Sequence, residues 1–358
     1  MINYYQPRIL PFLQVKSQKL PSKIKSRYYF SFEDALWDLI RNKFPGKKKI
    51  KVLVPDFYCS NVLDNIRLHG HEYVYYPLDK NFQISAGSFR RYLWLFKPDV
   101  VIIFHACGIT SSLIADPSWL PDLPGSSLII EDSVHRLVNP EKVSLLNDRH
   151  FIVDSLRKVS PFPGSRVFAS KKALSFPSSA RLISVYSVSA FILYFVFRTF
   201  LRLGFILNSS SLVIWSHEKI LKSHDEIIGD SMNPHTGFSL YLPFIRRINY
   251  KKVEDLKRKQ IELYEKYLAP LYLGKKFYHL NISDSDFGLL HVYPLGYSAS
   301  PDKSLITLLH SKGIPVWFKF TDTPWSQHRA VLFLPLGFHI NEDQIRSVGA
   351  TLLSWQVK

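Results

Sequence analysis

Three groups of polar residues follow short apolar runs of the sequence, and together they could act on a small molecule. The groups are residues 105–108, 131–135 and 154–158. Each apolar run before them is typical of a strand that is covered on both faces. The carboxyl ends of parallel strands meet at one edge of an α/β sheet, and ligands bind there. We therefore expect the three groups to form one site.

Lys158 and Asp132 have the chemistry that the cofactor pyridoxal 5'-phosphate (PLP) requires. PLP needs a lysine for covalent attachment and a carboxylate that keeps its pyridine nitrogen protonated. Ser155, three residues before Lys158, could donate its hydroxyl to the phosphate, and His135 could orient Asp132 or contact a ring oxygen. Lys158 could instead be an ordinary surface lysine. The Ser-x-x-Lys spacing also occurs in serine acyl-enzymes, but their companion motifs Ser-Asp-Asn and Lys-Thr-Gly are absent from this sequence.

Alternating strand and helix patterns position these groups. Strands are predicted at residues 51–54, 73–76, 100–104, 127–130, 151–153 and 166–169, and helices at 35–44, 62–68 and 89–96. This alternation predicts a largely parallel α/β sheet. After residue 249 a long amphipathic helix is followed by predicted strands at 287–293 and 331–334 and helices at 304–309 and 342–353. We therefore predict an N-terminal extension (1–27), a large α/β domain (28–249) and a small α+β domain (250–358).

The composition indicates a folded, basic protein. Of its 358 residues 46% are hydrophobic and 21% charged, which allows a large core and excludes a disordered chain. The net charge of +17 would attract anions such as phosphorylated small molecules, nucleic acid or acidic lipid, although a basic solvated surface explains it equally well. No zinc-finger or RNA-binding motif accompanies the basic residues, so we expect no nucleic-acid partner.

The cysteines and the N-terminal residues favour a cytoplasmic location. The two cysteines, Cys59 and Cys107, cannot form a disulfide framework or a CxxC metal site, which fits a reducing compartment. The first 27 residues contain no apolar signal-peptide core, so we expect no secretory signal.

Residues 183–207 are the most apolar stretch of the chain. The 15 residues from Ile183 to Phe197 carry no charge, and Arg198 and Arg202 then interrupt the run. About 20 residues are needed to span a bilayer. Three interpretations stay open: a helix in the core or at a dimer interface, a helix lying on the inner membrane face, or a membrane span.

Several motifs resemble, in their order, those of the DegT-type sugar aminotransferases, a branch of the fold-type I PLP-dependent enzymes. The matching segments span residues 28–355 and are SFEDALWDLI, VLVPDFYCSNVLDNI, VIIFHACG, LIIEDSVH, DSLRKVSPFPGS, SKGIPVWFKF and VLFLPLGFHINEDQI. The resemblance implies an α/β PLP-dependent transferase fold of type I. Such a fold has a mainly parallel central sheet and a small C-terminal α+β domain.

The resemblance also implies roles for the polar groups. Lys158 would bind the cofactor covalently, Asp132 would face the pyridine nitrogen, and His135 would make a polar contact to the ring. Ser155 would bind the phosphate. The lysine also argues against the family's dehydratase variants, in which histidine replaces it.

Two further segments would complete the cofactor site. The backbone amides of Phe32 and Glu33 would bind the phosphate, although the family usually has Gly-Thr or Gly-Arg there. A glutamate beside a phosphate is repulsive by a few kcal/mol when it is desolvated. Tyr58 or Cys59 would lie on the ring face.

The family implies a homodimer that transfers an amino group from an amino acid to a nucleotide-linked keto-sugar, for polysaccharide or secondary-metabolite synthesis. Asn233 or Ser239 would reach into the partner's site. Two alternatives remain at this point. One is a binding or scaffold protein that has lost catalysis, and the other is a membrane-surface PLP enzyme of envelope synthesis.

Overall fold

A computed structural model describes most of the chain. The described residues are 12–156, 164–178, 180, 192–193, 196–201, 203–204, 207, 209, 211–212, 215–216, 218–220, 234–236, 242–314, 316–338 and 340–356. The strands are β1 (Ile24–Tyr29), β2 (Lys51–Pro55), β3 (Glu72–Tyr76), β4 (Val100–Phe104), β5 (Leu128–Asp132), β6 (His150–Val153), β7 (Ser165–Ser170), β8 (Phe277–Tyr278), β9 (Tyr293–Tyr297) and β10 (Ala330–Leu334). The helices outside residues 181–241 are α1 (Phe32–Lys43), α2 (Ser60–Leu68), α3 (Ala86–Phe96), α4 (Ser112–Ala115), α5 (Leu242–Ile245), α6 (Tyr250–Leu268), α7 (Lys303–Ser311) and α8 (Glu342–Gln356).

A seven-stranded sheet in the described residues carries the strand ends of interest. Its order is β1-β7-β6-β5-β4-β2-β3. The neighbours from β6 through β3 are parallel, whereas β7 is antiparallel to both β6 and β1. All residues of β4 and β5 are buried; β4 is apolar throughout, and β5 is apolar except for Glu131 and Asp132 at its carboxyl end. The predicted mainly parallel α/β sheet is confirmed.

Strand β1 differs from the sequence prediction. Residues 24–27 are predicted as part of an extension, but Ile24 pairs with Ser170 and Tyr29 with Ser165 along the whole of β7. The sequence IKSRYY has no apolar alternation, so its pattern does not indicate a strand. Hydrogen bonding to β7 therefore determines that these residues form a strand.

A second, three-stranded antiparallel sheet follows, in the order β10-β9-β8. The strand predicted at 287–293 is wrong, because the chain becomes extended only at Tyr293–Tyr297. Asp286 explains the difference. It lies in a turn, where its N–H donates to Ser283 and its carbonyl accepts from Leu289, both at 2.9 Å.

One hydrophobic core joins the two sheets. Phe57, which follows β2, packs edge-on against Trp325 with ring centroids 4.8 Å apart. The indole N–H of Trp325 donates to the carbonyl of Asp79 at 2.8 Å. The second sheet is therefore held against the end of the first.

The apolar segment 183–207 is described only in part, and residues 183–191 lie outside the described residues. Residues 192–193, 196–201 and 203–204 are helical. No helix among the described residues is both long and apolar enough to cross a membrane.

Candidate active site

The described residues of the three polar groups, 105–108, 131–135 and 154–156, lie at one edge of the large sheet. In the strand register Phe104 lies opposite Asp132, and Asp132 lies opposite Val153. Neighbouring strands are about 4.8 Å apart. Phe104, Asp132 and Val153 therefore lie side by side at the carboxyl ends of β4, β5 and β6, and His105 and Asp154 are each one residue further along the chain.

Asp132 is a buried carboxylate that is fixed in orientation. It is the last residue of β5 and is 2% exposed. Its Oδ2 accepts the hydroxyl proton of Tyr58 at 2.7 Å, and its Oδ1 accepts the N–H of Val134 at 3.0 Å. Both donors are neutral, so neither offsets the negative charge of the carboxylate as a salt-bridge partner would.

Tyr58, one of the two residues predicted to lie on the ring face, contacts the carboxylate of Asp132. Burial raises the pKa of Tyr58 well above its usual value, and the nearby Asp132 raises it further. Cys59 and Glu33 add smaller effects of the same sign. The phenol therefore stays protonated and donates to Asp132. Cys59 is at the N-cap position of α2.

His135 is buried between aromatic rings. Its ring stacks on Phe320 at a centroid distance of 5.6 Å and lies 5.1 Å from Phe104. Residue 108 must be a glycine for its backbone to lie this close to that of His135, because its φ is +98° and a Cβ there would lie 2.5 Å from the His135 carbonyl oxygen. The glycine of the HACG motif thus allows close approach of two backbone segments.

Lys158 lies outside the described residues, together with the rest of residues 157–163. The two ends of this segment are joined, since the N–H of Leu156 donates to the Gly164 carbonyl at 2.8 Å. Arg166 ties the ends further through two side-chain bonds to Asp154, of 2.9 and 2.5 Å. Both residues of this ion pair are buried. The described residues that flank the segment 157–163 therefore follow β6 and precede β7, and β6 is the neighbour of β5 and its Asp132. Ser155, which precedes this segment, is buried.

Glu131 forms a second buried network that the sequence analysis missed. Its two carboxylate oxygens lie 2.9 Å from Nε2 of His105 and 3.1 Å from Nε2 of His150. The Nδ1 atoms of these histidines accept backbone N–H groups, from Ser111 at 3.1 Å and from Leu146 at 3.0 Å. Each imidazole therefore carries its proton on Nε2. His105 donates this proton to Glu131, and Nε2 of His150 lies close to the other oxygen of the same carboxylate.

The histidines keep Glu131 ionised. Burial alone would raise the pKa of Glu131, but the interactions with the neighbouring His105 and His150 outweigh burial and lower it. Successive strand residues point to opposite faces of a sheet. The side chain of Glu131 therefore links β4, β5 and β6 on one face of the sheet, and the side chain of Asp132 lies on the opposite face.

At the N-terminus of α1, whose Phe32 and Glu33 amides are predicted to bind the phosphate, the next residue, Asp34, is hydrogen-bonded within the protein. Asp34 donates its N–H to the Ser31 hydroxyl at 3.0 Å and accepts from that hydroxyl at 2.7 Å. The other oxygen of Asp34 accepts the N–H of His235 at 2.9 Å. Hydrogen bonding to Asp34 raises the pKa of His235, against the effect of burial.

Asp132 and the first turn of α1 differ in how well they suit PLP. The buried carboxylate of Asp132 fits a protonated pyridine nitrogen. Phe32 begins α1 as a buried residue, and Glu33 and Asp34 place two acidic groups in its first turn. A phosphate would meet these charges at the helix end that usually favours anions. The acidic first turn disfavours a phosphate there, and the contacts of the Phe32 and Glu33 amides with a phosphate stay a prediction.

Asn233 and Ser239 lie outside the described residues, and their predicted position in a dimer stays a prediction.

The fold is shared with solved aminotransferases at low sequence identity. Helicobacter pylori PseC, an aminotransferase of pseudoaminic acid biosynthesis, is 12% identical with a TM-score of 0.57 over 93% of this chain and 86% of PseC. A DegT DnrJ EryC1 StrS aminotransferase from Brucella abortus is 11% identical, with a TM-score of 0.58 over 93% and 86% of the two chains. The sugar aminotransferase CalS13 from Micromonospora echinospora is 14% identical, with a TM-score of 0.56 over 92% and 87%. The sequence matches no protein-family model and no curated protein. The predicted fold of PLP-dependent transferases is confirmed.

Proposed function

We propose that this chain is a PLP-dependent aminotransferase that transfers an amino group from an amino acid to a nucleotide-linked keto-sugar. The observation that carries the proposal is the buried Asp132, which Tyr58 fixes in orientation and which lies opposite Val153 of β6, the strand that Lys158 follows in the sequence. The keto-sugar acceptor is proposed from the resemblance to sugar aminotransferases. The basic charge of +17 is compatible with an anionic nucleotide substrate.

Each residue has a defined task in this proposal. PLP, when bound, withdraws electrons from the substrate carbon that loses or gains a proton. Asp132 holds the proton on the pyridine nitrogen, and Tyr58 fixes the orientation of the Asp132 carboxylate. Lys158 attaches the cofactor and then moves the proton to or from the substrate carbon. An amine works as a base only when it is neutral, so nearby positive charge from Arg157 would favour this form.

We place the phosphate on the side of Ser155, away from the acidic first turn of α1. Ser155 is buried and has a hydroxyl that can donate. Arg157, which follows it by two residues in the sequence, has a guanidinium that suits a phosphate.

An absorbance scan of the purified protein after incubation with PLP tests the proposal. Wild type should gain a visible band of covalently bound cofactor, and Lys158→Ala should lose it. Lys171→Ala is the matched control, because Lys171 is an exposed lysine just after β7. It should keep the band. Absence of a band in wild type, or an unchanged band in Lys158→Ala, would show that Lys158 does not hold the cofactor.

The acidic first turn of α1, which disfavours a phosphate, favours a second candidate. This is a binding or scaffold protein of the same fold without catalysis. Equilibrium dialysis with PLP separates the two. The enzyme should take up about one PLP per chain, whereas a scaffold protein should take up none.

A further inference from the structure

Two ring nitrogens in the turn between α2 and β3 are buried. They are Nε2 of His69 and Nδ1 of His71, and neither has a hydrogen-bond partner among the described residues. The ring centroids of the two histidines are 6.4 Å apart. An unpaired buried polar atom is costly, and a bound ion or water is a common explanation for one. Two such atoms on neighbouring rings indicate one ligand that both could share.

Hydrogen bonds at the end of α2 fix the backbone of this turn. The N–H of Gly70 donates to the Arg67 carbonyl at 2.8 Å, and the N–H of His71 donates to the Ile66 carbonyl at 3.1 Å. Gly70 has a φ of +76°, the left-handed conformation in which glycine commonly ends a helix. The turn therefore holds the backbone of His69 and His71 in one arrangement.

Trp37 of α1 holds the two rings from one side. The Trp37 side chain is 2% exposed, and its indole N–H donates to the side-chain carbonyl of Asn65. The ring of His69 stacks on the indole with a centroid distance of 3.8 Å and an interplanar angle of 11°. The ring of His71 lies 5.6 Å from the same indole. The orientation of His69 is thus set before any ligand binds, which lowers the entropy cost of binding.

The two imidazoles have the chemistry of metal ligands. Burial lowers the pKa of both histidines, that of His69 to about 4, so both rings are neutral at pH 7. A neutral imidazole has one lone pair, and its proton can lie on the other ring nitrogen. An imidazole nitrogen is about 1 Å from its ring centroid and bonds a metal ion at about 2.0–2.1 Å, so two rings on opposite sides of an ion have centroids about 6 Å apart. The observed distance of 6.4 Å is compatible with this arrangement.

We propose that His69 and His71 form a two-histidine site for a divalent transition-metal ion. Among the described residues no group of three or more His, Cys, Asp or Glu side chains could hold a metal ion, so water must complete the coordination. Both histidines are partly exposed, which lets water reach the site. With only two imidazole ligands the affinity follows the general order for divalent metals, and Cu²⁺ binds most tightly.

The surroundings of the site determine its strength and its role. The charge of Arg41 acts on His69 and opposes a cation, but Arg41 is exposed and its charge is screened by solvent. His71 directly precedes β3, at the opposite end of the strand from the carboxyl edge that carries Asp132. The metal ion would link the end of α2 to the start of β3. This proposal is therefore independent of the proposed aminotransferase reaction.

Calorimetric titration of the full-length protein with CuCl₂ at about pH 7 tests the site. Wild type should bind one Cu²⁺ per chain more tightly than Zn²⁺. His69→Phe, which keeps a ring against Trp37, and His71→Phe should each weaken this binding at least about tenfold. His328→Phe is the matched control, since His328 is an exposed histidine elsewhere on the protein. It should stay within about twofold of wild type.

Tryptophan fluorescence locates the ion independently. Cu²⁺ quenches the fluorescence of an indole at short range, and Trp37 is the tryptophan that contacts His69. The saturable quenching of wild type should disappear in Trp37→Phe. It should remain in Trp94→Phe, because Trp94 is 74% exposed on α3 and away from the two histidines.

Circular dichroism of each variant verifies that it is folded. The proposal is overturned when wild type binds no Cu²⁺, or when the folded variants His69→Phe and His71→Phe bind it as tightly as wild type. Quenching that persists unchanged in Trp37→Phe would place the ion elsewhere and would also overturn it.

Discussion

The hydrogen bond between Tyr58 and Asp132 should be among the strongest single side-chain bonds in the protein. The two oxygens are 2.7 Å apart, and the two side chains are 1% and 2% exposed. A hydrogen bond to a charged group contributes about 1.5–3 kcal/mol to the free energy of unfolding. Tyr58→Phe removes the donor and keeps the ring, so its cost should reflect the lost bond.

A double-mutant cycle in the cofactor-free protein measures this bond. Tyr58→Phe, Asp132→Asn and the double variant would be unfolded in urea at neutral pH, followed by circular dichroism. We expect a coupling energy of about 1.5–3 kcal/mol between the two positions. Tyr264→Phe is the control, because its buried hydroxyl donates to the neutral carbonyl of Pro335 at 2.9 Å. Combined with Asp132→Asn it should be additive within about 0.5 kcal/mol.

A coupling energy below about 0.5 kcal/mol between Tyr58 and Asp132 would refute this reasoning. It would mean that the carboxylate finds an equivalent donor when the phenol is removed. The tyrosine would then have no role in fixing the group that we assign to the pyridine nitrogen.

Three further variants test other parts of the structure by urea unfolding. Arg166→Met leaves the buried carboxylate of Asp154 without its guanidinium and should cost about 3–5 kcal/mol; a cost under about 1 kcal/mol would contradict the buried ion pair. Burial raises the pKa of Asp56 from 3.8 to about 6, so wild type should lose stability as the pH rises through this range. Asp56→Asn should remove that loss and be more stable above pH 6 by about 1–2 kcal/mol, after allowing for partial exposure; an unchanged pH profile would exclude the burial effect. Gly108→Ala should cost at least about 1–3 kcal/mol, since φ is +98° and a carbonyl oxygen lies 2.5 Å from the added Cβ. Gly87→Ala, in open space on α3, should leave stability unchanged or raise it by about 0.5–1 kcal/mol, and equal losses in the two glycine variants would contradict the close approach.

The elements that carry the site could be predicted because their signals are local. The run Val100–Phe104 is apolar throughout and forms a strand with the predicted bounds. The ends of β5 and β6 are predicted within two residues. Parallel pairing then brings the polar residues after each strand to one edge, whatever the details of the connecting loops. This is why Asp132 could be singled out from the sequence.

The missed features depend on residues that are far apart in the sequence. Glu131 binds His105 and His150, and only the register of three strands shows that the two imidazoles reach one carboxylate. Asp34 receives the backbone N–H of His235, 201 residues away. A helix N-terminus with acidic residues looks locally like an ordinary capped helix. Its closure by a distant segment is a tertiary effect.

The acidic first turn of α1 affects how long a cofactor would stay bound. Because Lys158 would also move the proton of the substrate carbon, it would not hold the cofactor throughout the reaction, and non-covalent contacts of the protein would have to retain it. Asp34 and Ser31 bond to each other at the helix end, and the acidic first turn repels a phosphate there. The retention time of the cofactor would then be short compared with that of an enzyme whose helix end binds the phosphate. Occupancy of the site would follow the concentration of free cofactor.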